Sequence, residues 1–359
     1  MSAHNQPPLH SAPSAPPLRP AIRAHASAPT RTADAGGWSD TWFAMYGTVC
    51  NIAIDHRAEV TVTARPDPTP RIRLLVHMTG EDYEFDPASL PGRHPIIEHA
   101  IVATEIRGDV VVDIADSIAG GSGLGTSASV MVALVSALAA VVGESLDAGE
   151  IAVLAHAYET ATGKQSGVQD HAAAAWGGIS RFDVRYPSVR HTPIQVPGPA
   201  RADLGARLHT VYFGAPHASG QLHDEVIARL DEGGGRDEIE ALRAGGIAAA
   251  DALELGDLTA YGTALIACHD AIDGLHPDLV GVDARRLADF ARRHGSRGWK
   301  VNGAGGPGGS MAVLGPSHPA ADEALLADLA GVPGWQLVDA ALGAEGVRTE
   351  LLIDDGGMM

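Results

Sequence analysis

The chain has 359 residues, enough for two packed domains that each bury a core. Its 44 acidic against 25 basic residues give a formal net charge of −19, which repels nucleic-acid backbones and anionic membrane faces and leaves small molecules as the expected partners. Only 4 % of residues are aromatic while 43 are glycine, the composition of an α+β protein with many tight turns.

Residues 1–28 are rich in Pro, Ala and Ser with scattered Arg and His, lack the apolar stretch of a secretory signal, and read as a disordered tail. "GTVCNIAIDHRAEVTVTARP" and "RIRLLVHM" are enriched in β-branched residues and predict strands joined by the turn "RPDPTP". "GDVVVDIADSI" predicts another strand. It runs into the glycine turn "GGSGLGTSAS" and then the apolar run "VMVALVSALAAVV", which is shorter than the ~20 residues of a membrane span and predicts a core helix. "ESLDAGEIAVLAHAYETATG" predicts a helix with Ile151, Leu154, Ala155 and Tyr158 near one face, and "KQSGVQDHAAAAWGGI" a polar loop entering a small-residue helix. A composition shift places the domain boundary near 195, giving domains 29–195 and 196–359. Beyond it, "LHTVYFG" predicts a strand, 221–270 and 283–294 amphipathic helices, and "GWKVNGAGGPGGSMAVLG" a second glycine cluster leading into a strand. Cys50 and Cys268 lie far apart without CxxC spacing, so neither a disulfide framework nor a thiolate zinc site is expected, and the cytoplasm fits.

Four stretches can carry chemistry. In the first glycine turn, Gly123 and Gly125 allow close backbone approach, N–H groups from Gly125 to Ala128 would point outward, and Thr126, Ser127 or Ser129 can lend hydroxyls to phosphate or a magnesium ion. It is not a Walker loop, since Thr126 stands where that motif needs lysine; the plain alternative is a small-residue helix start. Glu159 and Asp170, eleven residues apart, can divide labour between holding Mg²⁺ and accepting a hydroxyl proton, or can be ordinary solvated acids at helix ends. "RTADAGGWSD" joins Arg31, permanently charged, to Asp40, which can accept from sugar hydroxyls; a strand-edge ion pair beside a buried Trp38 would look the same. "NGAGGPGG" can line a ligand with backbone, as many glycine turns can.

Taken in order, these stretches resemble the GHMP small-molecule kinases, named for galactokinase, homoserine kinase, mevalonate kinase and phosphomevalonate kinase. "GGSGLGTSAS" is similar to the family's phosphate motif PxxxGLGSSAA, without its leading proline and with Thr126 for the first serine; "KVNGAGGPGG" is similar to the C-terminal glycine motif, interrupted by Pro307. The nine-residue step from Arg31 to Asp40 and the eleven-residue step from Glu159 to Asp170 also match family spacings. "AGGWSDT" is most similar to the fucokinase and sugar-1-kinase branch, and "GVQDHAAAAWGGI" to the heptose 7-phosphate kinases; the galactokinase signature GEHTDY is absent.

The resemblance implies a two-domain α+β fold, the N-terminal domain carrying a left-handed βαβ crossover and the C-terminal domain ferredoxin-like. It implies ATP with its phosphates across Gly121, Gly123, Leu124, Gly125, Thr126, Ser127, Ala128 and Ser129, Mg²⁺ on Ser127 and Glu159, Asp170 as base and Arg31 as its cationic partner. Asp40 would hold sugar hydroxyls, Trp38 would wall the ring or pack in the core, and Gly303, Ala304, Gly305 and Gly306 would complete the cleft. The expected reaction is transfer to the anomeric hydroxyl of a heptose 7-phosphate, with Lys164, Arg181 and Arg185 as candidates for its second phosphate. The alternatives are a neutral sugar such as L-fucose or another polyol, and a kinase-like binding protein without catalysis. A homodimer is compatible with the sequence. A dinucleotide oxidoreductase is disfavoured, because "GSGLGT" lacks GxGxxG spacing.

Overall fold

The computed structural model describes residues 21–115, 121–216 and 220–353. The first part contains β1 (Ile22–Ala35), β2 (Tyr46–Arg65), β3 (Arg71–Val76), β4 (Glu81–Phe85), α1 (Pro95–Ala103), β5 (Asp109–Ala115), α2 (Thr126–Val142), α3 (Ala148–Ala161), α4 (Gln169–Trp176), β6 (Ile179–Arg185) and β7 (Ser188–Pro193). The second contains α5 (Gly198–Arg207), β8 (Leu208–Tyr212), α6 (Gly220–Asp231), α7 (Arg236–Leu255), α8 (Leu258–Leu275), α9 (Val282–Arg293), β9 (Gly298–Val301), β10 (Ser310–Leu314), α10 (Pro319–Ala330), β11 (Gln336–Val338) and β12 (Arg348–Ile353).

The first sheet runs β12-β1-β2-β5-β3-β4, with β6 and β7 continuing from the early half of β2. Its one parallel pair among the described residues is β3 with β5, reached by way of β4 and α1. The second sheet runs β11-β8-β10-β9, antiparallel throughout, with α6 to α9 between its first two strands and α10 before its last: the βαββαβ order of a ferredoxin-like domain.

Two expectations need correction. β1 begins at Ile22, so residues 22–28 of the expected tail are strand, held by pairing to β2 on one side and β12 on the other; residues 1–20 lie outside the described residues. β12 returns from the end of the chain to the first sheet, so the unit beginning at 196 does not keep everything that follows it. The end of the expected strand at 116–118 also falls outside the described residues.

α2 is apolar around its whole circumference, and such a helix needs cover on every side. It receives it from β1, β2, β12, α1, α3 and α4. The two cores meet along β1: Ala24, Ala26 and Ala28 belong to the first, Ala33 and Ala35 to the second. Arg31 lies at that crossing. The β1–β2 register shifts between Pro29 and Thr30 and again between Thr32 and Ala35, and such irregularities bend a strand and re-aim its side chains.

Candidate active site

One cleft gathers most of the expected residues: Arg31, Trp38 and Asp40 from the β1 region, Gly121, Gly123 and Gly125 to Ala128 from the glycine turn, Glu159 from the end of α3, Asp170 from the start of α4, and Gly303 and Ala304 from the second turn. Its volume is about 180 Å³.

The glycine turn is built to expose amides. Gly121, Gly123 and Gly125 all have positive φ, and Gly125 caps α2 in the left-handed region, which L-residues with a Cβ avoid. No side chain caps the helix, and among the described residues the N–H groups of Gly123 to Ala128 donate to nothing in the protein. Arg31 fixes the turn from behind: its backbone N–H donates to Leu124 O at 3.0 Å and its Nη1 to the Gly123 carbonyl.

Arg31 is buried, and its Nε and Nη2 lie 2.8 and 2.7 Å from Asp170 Oδ1. Burial alone would weaken the guanidinium's hold on its proton; Asp170 and Asp34 outweigh that and keep it charged. Asp170 stands in the first turn of α4, where the helix N-terminus favours a carboxylate, and its side chain remains 30 % exposed toward the cleft. The Gln169 side chain also donates to Asp170 Oδ1.

Asp40 accepts from Gln169 N at 2.9 Å, and burial pushes its carboxyl up to about 6. Gly167 is required beside it, because a Cβ there would stand 2.1 Å from Asp40 Oδ2. Trp38 packs in the second core and also lines the cleft, its Nε1 donating to Ala304 O at 3.3 Å and its ring 4.8 Å from that of His223.

Ser127 Oγ donates to Glu159 Oε1 at 2.9 Å, joining the two expected metal ligands. Burial works against ionisation of Glu159, but His171 and Lys164 hold its carboxyl well below the usual carboxylate range. His171 Nε2 approaches Oε2 to 2.8 Å without the alignment of a hydrogen bond. Lys164 Nζ contacts Glu159 Oε1 and lies 3.0 Å from Ser127 Oγ. The turn itself has no lysine, but the loop after α3 delivers one to its Ser127.

Four expected residues do not face the cleft. The Leu124 side chain is fully buried, and Ser129 turns inward to donate to Pro29 O at 2.7 Å. Gly305 and Gly306 lie against the segment after α8, Gly306 N donating to Leu279 O at 2.7 Å, so only Gly303 and Ala304 of the second turn reach the cleft. Sequence reasoning also missed Asp34, fully buried, which accepts from Lys300 Nζ at 3.1 Å and Gly303 N at 3.2 Å and ties the second turn to the Arg31 strand. Its place inside "RTADAGGWSD" was the available signal. Nothing in the sequence pointed to His223, which comes in from α6.

Residues 96–178 match the GHMP kinases N terminal domain. Over those residues the chain is similar to that domain, and it has the GHMP kinase fold. A mevalonate kinase from Pyrococcus horikoshii is 28 % identical over 265 residues, 71 % of this chain and 72 % of its own. A D-glycero-D-manno-heptose 1-phosphate kinase from Bacteroides thetaiotaomicron superposes with a TM-score of 0.70 at 19 % identity, over 91 % of this chain and 98 % of its own. The galactokinase of Lactococcus lactis, solved with galactose, gives 0.72 at 18 % identity, over 91 % and 95 %. At these identities the structures speak for the GHMP kinase fold alone. Among the described residues, no helix is long and apolar enough to cross a membrane.

Proposed function

We propose that this GHMP kinase fold transfers the γ-phosphoryl group of ATP to a sugar hydroxyl, the anomeric one in the reading the sequence suggests. The observation that carries the proposal is the junction at the first turn, where open amides, the Ser127–Glu159 pair and the Arg31–Asp170 pair line one cleft. Amides at a helix start suit the phosphates of a nucleotide. Asp170 would orient the acceptor hydroxyl and take its proton, with Arg31 holding the carboxylate in place. Asp40 would fix neighbouring hydroxyls, and Trp38 would lie beside the ring.

Ser127 and Glu159 fit Mg²⁺ by donor chemistry: both offer hard oxygens, and these stand 2.9 Å apart. Among the described residues no group of three or more His, Cys, Asp or Glu is placed to hold a metal. Held by Ser127 and Glu159, the ion would offset the charge of the transferring group.

The geometry favours an acceptor without a second phosphate, such as L-fucose or another neutral sugar. A heptose 7-phosphate needs a cationic subsite, and of the three residues offered for it Lys164 alone lines the cleft, already engaged there. Lys164 is on Ser127 and Glu159, Arg181 pairs with Asp183 and Asp251, and Arg185 is exposed at the end of β6; neither arginine lines the cleft. Radiolabel transfer from ATP across a panel of sugars and sugar phosphates tests this. Turnover of neutral sugars supports it, turnover of heptose 7-phosphate alone restores the phosphorylated acceptor, and transfer only to a non-sugar rejects both. Nucleotide binding without any transfer would favour the binding-protein alternative, against which the intact Arg31–Asp170 contact stands.

A further inference from the structure

Glu159 is an almost wholly buried carboxylate with two nitrogen-bearing neighbours of different character, an imidazole and an ammonium. His171 is buried on α4 and has no room to leave. Lys164 is 42 % exposed on the loop after α3, and a flexible four-carbon stem carries its ammonium. That ammonium touches both oxygens assigned above to a divalent ion: Glu159 Oε1 and, at 3.0 Å, Ser127 Oγ. Ser127 meanwhile donates its own proton to Glu159 Oε1 at 2.9 Å. The three groups form a closed triangle in which every contact is made within the protein.

An ammonium and a divalent cation cannot both sit on the same two oxygens, because like charges at contact distance in a partly buried site repel strongly. A buried carboxylate left without a partner is also strongly unfavourable. His171 stays on Glu159 Oε2, while Oε1 and Ser127 Oγ take their cation from Lys164, the neighbour that can swing away.

We infer that Lys164 is a resident counter-ion: it holds the Ser127–Glu159 pair in the nucleotide-free protein and is displaced when a divalent ion takes those oxygens. The inference rests on the kinase reading of this site. It makes the site a poor binder of free metal, since each metal ion has to expel an ammonium. Metal then enters efficiently only with a nucleotide, whose phosphates supply further ligands and a new partner for the displaced lysine.

The test uses the full chain and Mn²⁺ alone, titrated without nucleotide and followed by the loss of the free-ion electron paramagnetic resonance signal. Lys164→Gln is expected to bind Mn²⁺ roughly tenfold or more tightly than wild type, and Lys164→Arg to bind it as weakly as wild type. In wild type, acetylation of Lys164 read by mass spectrometry is expected to speed up several-fold when Mn²⁺ saturates the site. Equal Mn²⁺ affinity in wild type and Lys164→Gln, or an unchanged acetylation rate at saturation, overturns the inference. A separate titration of wild type with Mg·ATP keeps the two readings apart: if ATP binds while the Mn²⁺ affinities are equal, only the counter-ion role fails, and if ATP does not bind, the kinase reading itself fails.

Discussion

Two glycine-rich turns meet across the cleft, one ahead of α2 and the other between β9 and β10, so close that a Cβ on Gly123 would stand 3.1 Å from Asn302 O and one on Gly303 3.2 Å from Gly123 O. Both have repeated positive φ values, and composition does not tell them apart. Their amides do. In the first turn the N–H groups of Gly123 to Ala128 are uncommitted among the described residues, and the carbonyls of Gly123 and Leu124 are held by Arg31. In the second, Gly303 N is spent on Asp34, Gly306 N on Leu279 O and Gly309 N on Ala215 O. A glycine run becomes a ligand cradle when a helix follows, because a helix start leaves its first donors without partners. A run that feeds a strand can satisfy its donors locally and serve as a brace.

Substitutions can break or sharpen this contrast. The largest effect is expected at the carboxylate against which the first turn rests: Asp170→Asn should lower kcat by about 10²-fold or more while isothermal titration still shows nucleotide binding. Near-normal turnover would remove Asp170 from the proton's path. Gly305→Ala should cost about 2–3 kcal/mol in denaturant unfolding, since its Cβ would meet Leu279 O at 2.3 Å from a left-handed backbone, yet leave the nucleotide Kd of the folded fraction nearly unchanged. Gly125→Ala has space, its nearest neighbour being Asp170 Cγ at 3.5 Å, so the backbone penalty of about 1 kcal/mol should be its main cost in stability, while nucleotide Kd weakens about tenfold as the cap deforms. If Gly305→Ala weakened nucleotide binding and Gly125→Ala did not, the assignment of cradle and brace would be reversed.

The smallest expected effect concerns pH. Burial raises the Asp40 carboxyl to about 6, above its unfolded value, so between about pH 4 and pH 6 the folded state binds more protons than the unfolded one and this group's contribution to stability falls as pH rises. Burial depresses His156 to about 4, so over a similar window its contribution has the opposite sign and rises with pH. Asp40→Asn removes only the first. At pH 8 its Tm should therefore equal or exceed that of wild type by a few degrees, and the rise in acceptor KM expected below about pH 6, where Asp40 gains a proton, should disappear. A variant with lower Tm and an unchanged KM profile would exclude Asp40 as a hydroxyl anchor.

Local patterns were the legible part of the sequence. Glycines before an apolar run foretold a helix start, and the Glu159 to Asp170 step foretold two carboxylates in one cleft, because α3, its loop and α4 are contiguous. Features created by distant pairing were not legible. The start of β1, "IRAHASAPT", has little intrinsic strand preference, and its conformation comes from β2 and β12 on either side. Lys164 was visible as a cation, but its partners depend on how the loop folds back toward Ser127. Gly305 and Gly306 were indistinguishable from Gly303 until the position of Leu279 was known.

The pairing of β12 with β1 also sets an order of events. Protein is made from its first residue to its last, so the strand bearing Arg31 leaves the ribosome with one flank bare, and residues 348–353 follow only after every other described strand has been made. Chains cut short before Arg348 would keep every group in the cleft and still present an open β edge, a template for clumping.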